Sequence, residues 1–353
     1  MAADVGKSLL REVEEAGLGE SIRFENEPKV QPFNFSPLDR LLQAVTEARP
    51  TTKGTTPQPL VEILSPAAGD GKTHLLYHLC AQAVLSRRLG GKQAAAVVID
   101  TTGRFDVPRL AIQIQKLLRD RVEQSANDLD IDGETLSALE HIHIFRPQAL
   151  DSRSATLDAL PLYLFDQSRH HSYDREVAFV ALDPASAFYW QDRAESEDAA
   201  FLASTETIHP PAPTRGGYTR LFESLRTACK TLYCPAVITT WHLGPARSTH
   251  STPRSFRPQL PGVQPTLRLV VRRLLVRKFP PGISLEQAMR EGPSRQKAVE
   301  DGKFECFVNE WEVDDKLSRA LKDRGGGFGF AIKDGGMTIA GESGEEEGND
   351  VSA

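Results

Sequence analysis

The residues of this 353-residue chain that could do chemistry cluster first in Gly69-Asp70-Gly71-Lys72-Thr73-His74. An apolar, β-prone stretch, Leu60–Leu64, precedes them, and His74–Leu85 follows, apolar on nearly every helical face. Strand, small-residue loop, Lys-Thr and helix together make the setting of a phosphate-binding loop. Gly69 and Gly71 would let backbone N–H groups close on phosphate oxygens, with the positive end of the helix dipole behind them. Lys72 would reach the β- and γ-phosphates, and the Thr73 hydroxyl would hold Mg2+. Asp70 and His74, within and just after the loop, are counted with this site. The full pattern wants a glycine five residues before Gly71. Position 66 is proline, which fixes φ and offers no N–H. A Gly-Lys-Thr in a turn can also arise by chance.

A second acidic group is expected at the end of another strand. Val177–Asp183 is apolar with a terminal carboxylate, where Asp183 would hold Mg2+ through water. The expected cofactors are therefore ATP and Mg2+, the metal touching Thr73 and Asp183 by way of the nucleotide.

Length allows one large domain or two small ones, and 40% hydrophobic with 25% charged residues is ordinary for a globular protein. No apolar run reaches the length of a membrane span, and no signal-peptide pattern opens the sequence, so no membrane partner is expected. Four cysteines, Cys80, Cys229, Cys234 and Cys306, are scattered without a CxxC pair. They read as buried thiols of a reducing compartment; Cys229 and Cys234 could share a metal, but no spaced histidine pair completes a zinc set. A net charge of −6 confines any nucleic-acid contact to a local patch.

The elements that must position these residues alternate. A short amphipathic helix is read at 5–17, and 26–59 as a polar linker and apron with a helical turn around Leu38–Val45. After the loop and its helix come a strand, Ala94–Ile99, and a helix capped by Asp106, with Pro108 in its first turn. A helix near Gly133–Glu140 follows, then the strand His141–Phe145, whose two histidines share a solvated or hydrogen-bonded face. Residues 151–169 read as a helix disturbed at Pro161, 191–217 as a long polar loop, Tyr218–Leu232 as a helix and Ala236–Thr240 as a strand. The stretch 242–265 holds five prolines, three arginines and no acid, and reads as a mobile surface segment. A basic strand, Leu267–Lys278, and a terminal ribbon, Lys303–Asn309 with Phe328–Ile332, end the fold; an acidic tail from Gly341 is expected to be disordered. This is an α/β pattern with a mainly parallel twisted sheet flanked by helices and a C-terminal antiparallel β-ribbon. Ligands of such sheets sit at the carboxyl ends of strands, where Lys72, Thr73, Asp100, Asp183 and Thr240 all fall.

Several of these segments resemble the RecA-type recombinases, and among them the eukaryotic recombinase paralogues. Val98-Ile-Asp-Thr-Thr-Gly-Arg-Phe105 is similar to the block that follows their phosphate-loop helix, and Leu182–Arg193 to their Walker B block. The runs Leu76-Tyr-His-Leu79 and Ser186-Ala-Phe-Tyr-Trp-Gln-Asp-Arg193 are longer and more specific than a phosphate loop. The resemblance covers roughly 56–340, which implies a RecA-like P-loop ATPase core there, a short N-terminal helix and linker over 1–55, and a tail over 341–353. It also implies a subunit of a recombination-mediator complex with other recombinase paralogues, acting on single-stranded or branched DNA in double-strand break repair in the nucleus.

The same resemblance marks departures. The glutamate that activates water in the active family is Thr102 here, its Asn-Gln sensor pair is Thr240-Trp241, and its Phe-x-x-Ala polymerisation motif is missing. Losing a general base costs about two to four orders of magnitude in rate, so hydrolysis is expected to be weak or absent. Of the two segments that face DNA in the family, 191–217 carries five acids, whereas 242–265 carries Arg247, Arg254 and Arg257 without one. Those arginines are the DNA-binding candidates, with Phe256 as a base-stacking residue; a soluble linker is the alternative. Arg272, Arg273, Arg277 and Lys278 could extend a basic stripe. Trp190 and Tyr189 read as core or interface anchors. Three rival readings remain: a DNA-stimulated ATPase using Asp106 as base, a small-molecule phosphotransferase, and a nucleotide-free structural adaptor.

Overall fold

A computed structural model describes residues 31–49, 58–125, 129–205, 216–244, 254–274, 276 and 279–340. The helix read over 5–17, the acidic tail, Arg247, Arg277 and Lys278 lie outside the described residues.

The architecture is the expected α/β one. β1 (Leu60–Ser65), β2 (Ala95–Asp100), β3 (Ile142–Phe145), β4 (Val177–Asp183), β5 (Ala236–Trp241) and β6 (Leu267–Arg273) are parallel. β7 (Lys303–Val308), β8 (Gly327–Lys333) and β9 (Gly336–Ile339) continue the sheet antiparallel. The strand order is β3-β2-β4-β5-β1-β6-β7-β8-β9. β1, β2 and β4 are buried along their whole length, as strands covered on both faces must be.

Side chains alternate across the sheet, and the two faces have different covers. α1 (Ser36–Ala48), α2 (Lys72–Val84), α3 (Val107–Ser125), α4 (Ile131–Leu139) and α9 (Asp315–Asp323) meet the face of Val61, Ile63, Val98, Ala181 and Val237. α5 (Leu150–Leu164) and α7 (Gly217–Thr231) cover the face of Leu60, Ile99, Leu182 and Ile238. α6 (Tyr189–Thr205) and α8 (Leu285–Glu300) lie outside these layers, and α8 has no buried residue.

Four expectations change. The linker read over 26–59 instead supplies a helix over Ser36–Ala48 and buries Phe33, Phe35, Leu38, Leu41, Leu42 and Val45 in the main core. Asp39 closes its entrance by accepting the Phe33 and Phe35 amides at 3.0 and 2.8 Å. The loop read over 191–217 begins as α6, because its charged residues pair along a helical surface, Arg193 with Glu197 at 2.8 Å. The segment read as mobile is described over 242–244 and from Arg254 onward, and packs Phe256, Leu260 and Val263 on the sheet. Asn309 pairs both backbone groups of Phe256, at 2.9 and 2.8 Å, which holds that ring inside a cluster with Leu64, Val270 and Phe307. Phe256 is therefore a core residue and not a base-stacking one. The ribbon has a third strand, β9, whose short alternating run gave a weak signal.

At the β9 edge of the sheet one residue is paired from outside by a side chain. The Gln113 side chain of α3 accepts the Met337 N–H at 2.6 Å and donates to its carbonyl at 3.3 Å, as a neighbouring strand would. The second amide hydrogen reaches His78 Nδ1 of α2 at 3.3 Å, so neutral His78 completes the arrangement. Burial pushes His78 down to about 4 from 6.5. The unfolded chain then takes up a proton between about pH 6.5 and 4 that the folded chain refuses, and stability falls with pH across that window. Urea unfolding should show the wild type losing roughly 2–3 kcal/mol more than His78→Gln between pH 7 and 4.5; equal losses would contradict this account.

Candidate nucleotide site

The end of β1 delivers the loop. Ser65 is the last strand residue, and its hydroxyl donates to the Ala67 carbonyl at 2.8 Å, so the chain turns at Pro66 without needing an N–H there. Gly69 and Gly71 take left-handed φ values of +80° and +91°, which favour glycine. Gly71 then starts α2, whose first-turn amides of Lys72, Thr73 and His74 have no intrahelical acceptor and face the loop. Ala67, Ala68 and Gly69 are exposed, and a Cβ built on Gly69 would meet nothing within 4 Å, so the crest of the loop stands open.

Asp70, in contrast, faces inward. Its carboxylate accepts the Ala67 N–H at 2.8 Å and the Arg273 N–H of β6 at 3.2 Å, so it shapes the loop and ties it to the sheet. Below the loop lie Phe304 of β7 and Ile332 of β8, whose side chains come within 3.1–3.3 Å of a Cβ built on Gly71. The antiparallel strands therefore form the floor of the site.

Lys72 is buried and donates to the Ser65 hydroxyl. Burial holds its pKa below the usual lysine value, opposed by the charges of Asp183 and Asp70. Asp183 is also buried at the end of β4, and burial raises its pKa; the Thr239 hydroxyl and then Lys72 oppose that shift, while Asp100 adds to it. Thr239 of β5 donates to Asp183 Oδ1, and the Thr73 hydroxyl lies 3.4 Å from Oδ2. A hydroxyl and a carboxylate oxygen side by side, next to a buried ammonium and free helix-terminal amides, fit a Mg2+-bound polyphosphate by donor chemistry. Among the described residues no group of three or more His, Cys, Asp or Glu could hold a metal by itself. A hard cation here would need phosphate oxygens to complete its shell.

The other expected members separate by side-chain direction. Asp100 shares the face of Asp183, but its carboxylate accepts the Thr102, Arg104 and Phe105 amides at 3.3, 3.2 and 3.1 Å and pairs with Arg146 at 3.2 Å. It holds the turn after β2. Thr240 points to the opposite face and donates to Glu62 at 3.0 Å, which pairs with Arg268 at 3.1 Å. Its neighbour Thr239 takes the place at Asp183, since adjacent strand residues face opposite ways. His74 is half-buried, its ring edge-on to Tyr77 at 5.5 Å, and burial and then Arg109 lower its pKa. Asp106 caps α3 by accepting the Arg109 N–H at 3.2 Å, and its own N–H donates to the Tyr77 hydroxyl at 2.9 Å. Ser65, Thr239 and Arg146 were not singled out from the sequence.

Of the expected basic stripe, the two described arginines are used internally. Arg272 pairs with Glu305 and stacks on Phe307 at 5.0 Å, while Arg273 lies over Phe304 at 5.9 Å and donates to the Val299 carbonyl at 3.0 Å. Arg254 and Arg257 remain exposed on either side of Phe256. Trp190 is 58% exposed, so it is not a core anchor. His141 and His143 lie on one hydrogen-bonded face as expected, each 3.0 Å from the Ser172 hydroxyl. The four cysteines are free and buried.

No protein-family model matches the chain. Over 171 residues, 46% of its length, it is 29% identical to DNA repair protein XRCC2 of Mus musculus, covering 56% of that protein. The chain thus spans about half the length of this curated relative. It resembles the RecA-like recombinase paralogues at the level of the family, and its mostly parallel sheet with a C-terminal antiparallel strand group is that fold class. No helix among the described residues is long and apolar enough to cross a membrane.

The floor beneath Gly71 gives a direct check. Gly71→Ala forces a left-handed alanine against Phe304 and Ile332, and should lower unfolding stability by about 1–3 kcal/mol. Gly69→Ala meets open space and should show only the cost of its φ. Equal losses in denaturant unfolding would argue against the packed floor.

Proposed function

We propose that this chain is an ATP-binding recombinase paralogue acting in recombination-related DNA repair, as a subunit of a complex with other recombinase paralogues in the nucleus. The observation that carries the nucleotide reading is the meeting of Thr73 and Asp183, 3.4 Å apart, beside buried Lys72. In this reading Lys72 and the first-turn amides of α2 bind the phosphates, Thr73 and Asp183 hold Mg2+, and Thr239 orients Asp183. The similarity to a DNA repair protein supports the biological setting.

Hydrolysis is proposed to be weak. Thr102 offers no carboxylate, and Asp106, the alternative base, already accepts the Arg109 N–H as a helix cap. Nucleotide then serves to stabilise the loop and the surface around it, since a ligand that binds only the folded state adds stability by mass action. A DNA-stimulated ATPase remains the second reading, favoured by the exposure of Asp106 near the site. Contact with single-stranded or branched DNA is proposed through the exposed guanidinium groups of Arg254 and Arg257, with Arg247 on the same stretch of sequence.

Calorimetry with Mg-ATP tests the first part. Lys72→Ala and Thr73→Ala should each weaken binding at least about tenfold, and turnover should stay low with or without single-stranded DNA. A wild-type chain that binds no Mg-ATP, alone or with a partner paralogue, would remove the nucleotide reading. Turnover stimulated by DNA and lost in Asp106→Asn would move the conclusion to the second reading. For DNA, Arg254→Gln with Arg257→Gln should weaken oligonucleotide binding and reduce the slope of log K against log salt by about 0.7 for each phosphate no longer neutralised. An unchanged slope would discard these two residues as phosphate ligands.

A further inference from the structure

Arg153 is the largest fully buried side chain among the described residues and lies outside the nucleotide site. It projects from the first turns of α5 toward the turn that follows β4. Its Nη1 donates to the Ala185 carbonyl at 2.8 Å, and the guanidinium sits 4.7 Å from the centre of the Phe188 ring and 5.7 Å from that of Tyr218. The Tyr218 hydroxyl donates to the same carbonyl at 3.1 Å. Among the described residues Nε and Nη2 are buried without an acceptor in full hydrogen-bond geometry, beside the Tyr218 ring and hydroxyl. Burial pulls the arginine below its usual pKa, opposed first by Tyr218 and then by Asp192. Burying a cation costs desolvation, and an apolar residue of similar volume would avoid that cost. Its presence calls for a reason other than stability.

The peptide it grips supplies one. Ala185 lies two residues beyond Asp183, and its N–H donates to the Thr239 carbonyl at 2.8 Å. The Thr239 hydroxyl in turn donates to Asp183 Oδ1. The next residue, Ser186, accepts the Trp241 N–H at 3.0 Å. The turn after β4 is thus held by β5 from one side and by Arg153 from the other. With Arg153 removed, β5, Tyr218 and Thr101, which donates to the Asp183 and Pro184 carbonyls at 3.0 and 2.8 Å, would still hold the turn, but the Ala185 carbonyl would lose its shortest donor.

We propose that Arg153 is a positioning residue for Mg2+ at the nucleotide site, acting through Ala185 and Thr239 on Asp183. The inference rests on the nucleotide reading above. Asp183 bears on the metal and Lys72 on the phosphates, so loss of Arg153 should weaken Mg-ATP and spare ATP alone.

Binding of ATP is measured with Mg2+ and again in EDTA, on wild type, Arg153→Met and Arg153→Lys, beside thermal unfolding without nucleotide. Arg153→Met should melt no lower than wild type and bind Mg-ATP about tenfold more weakly, with affinity in EDTA unchanged within about twofold. Arg153→Lys, which keeps a donor within reach of Ala185, should lose less. Mg-ATP affinity equal to wild type in Arg153→Met, or equal losses with and without Mg2+, overturns the inference. If Arg153→Met does not fold, the same comparison is made on Arg153→Lys, where the absence of any Mg2+-specific loss overturns it. A wild type that binds no Mg-ATP overturns the nucleotide reading, and the inference falls with it; a wild type that binds while the variants match it overturns the inference alone.

Discussion

Two opposite charges, Lys72 and Asp183, are buried at the carboxyl edge of the sheet, and much of the structure answers to that constraint. Burial weakens each charge, and each partly restores the other. Neither is left to the pair alone, because Ser65 receives a Lys72 hydrogen and Thr239 donates to Asp183. A pair supported in this way by hydroxyl groups avoids the full desolvation penalty that an unsupported buried pair would meet. The strand order explains why the support is available. β5 lies between β4 and β1, so Thr239 stands at the side of Asp183 while Ser65 stands at the head of the loop.

The loop is equally dependent on strands far from it in sequence. Asp70 anchors it to β6, and Phe304 and Ile332 support Gly71 from β7 and β8. Proline at position 66 is accommodated because the Ser65 hydroxyl and the Asp70 carboxylate satisfy the first backbone groups of the turn. The C-terminal strands are therefore part of the site as well as of the sheet. Their own edge is finished by Gln113 and His78, which connect β9 to the helix that begins at Lys72.

Charge elsewhere is used mostly within the fold. Arg268, Arg272 and Arg273 serve Glu62, Glu305, Val299 and aromatic rings, and Arg146 serves Asp100. Arg254 and Arg257, in the segment after β5, are exposed. Arg153 differs from all of these in being wholly enclosed.

Local patterns were enough for the α/β class, the strand, glycine turn and helix around Lys72, the acidic end of β4 and the cap at Asp106. Each depends on neighbours a few residues apart, where period, glycine placement and capping chemistry act directly. The order of nine strands, the packing of Phe33–Val45 into the core, and the burial of Phe256 depend on partners distant in sequence. The site divides in the same way. Lys72, Thr73 and Asp183 could be named from spacing alone, whereas the exchange of Thr240 for Thr239 turned on which face of β5 meets α2. The structural duties of Asp70 and Asp100 turned on which amides the fold brings to their carboxylates. Sequence determines what each side chain can donate, accept or bury; only the assembled sheet decides which of its possible partners lies within hydrogen-bonding distance.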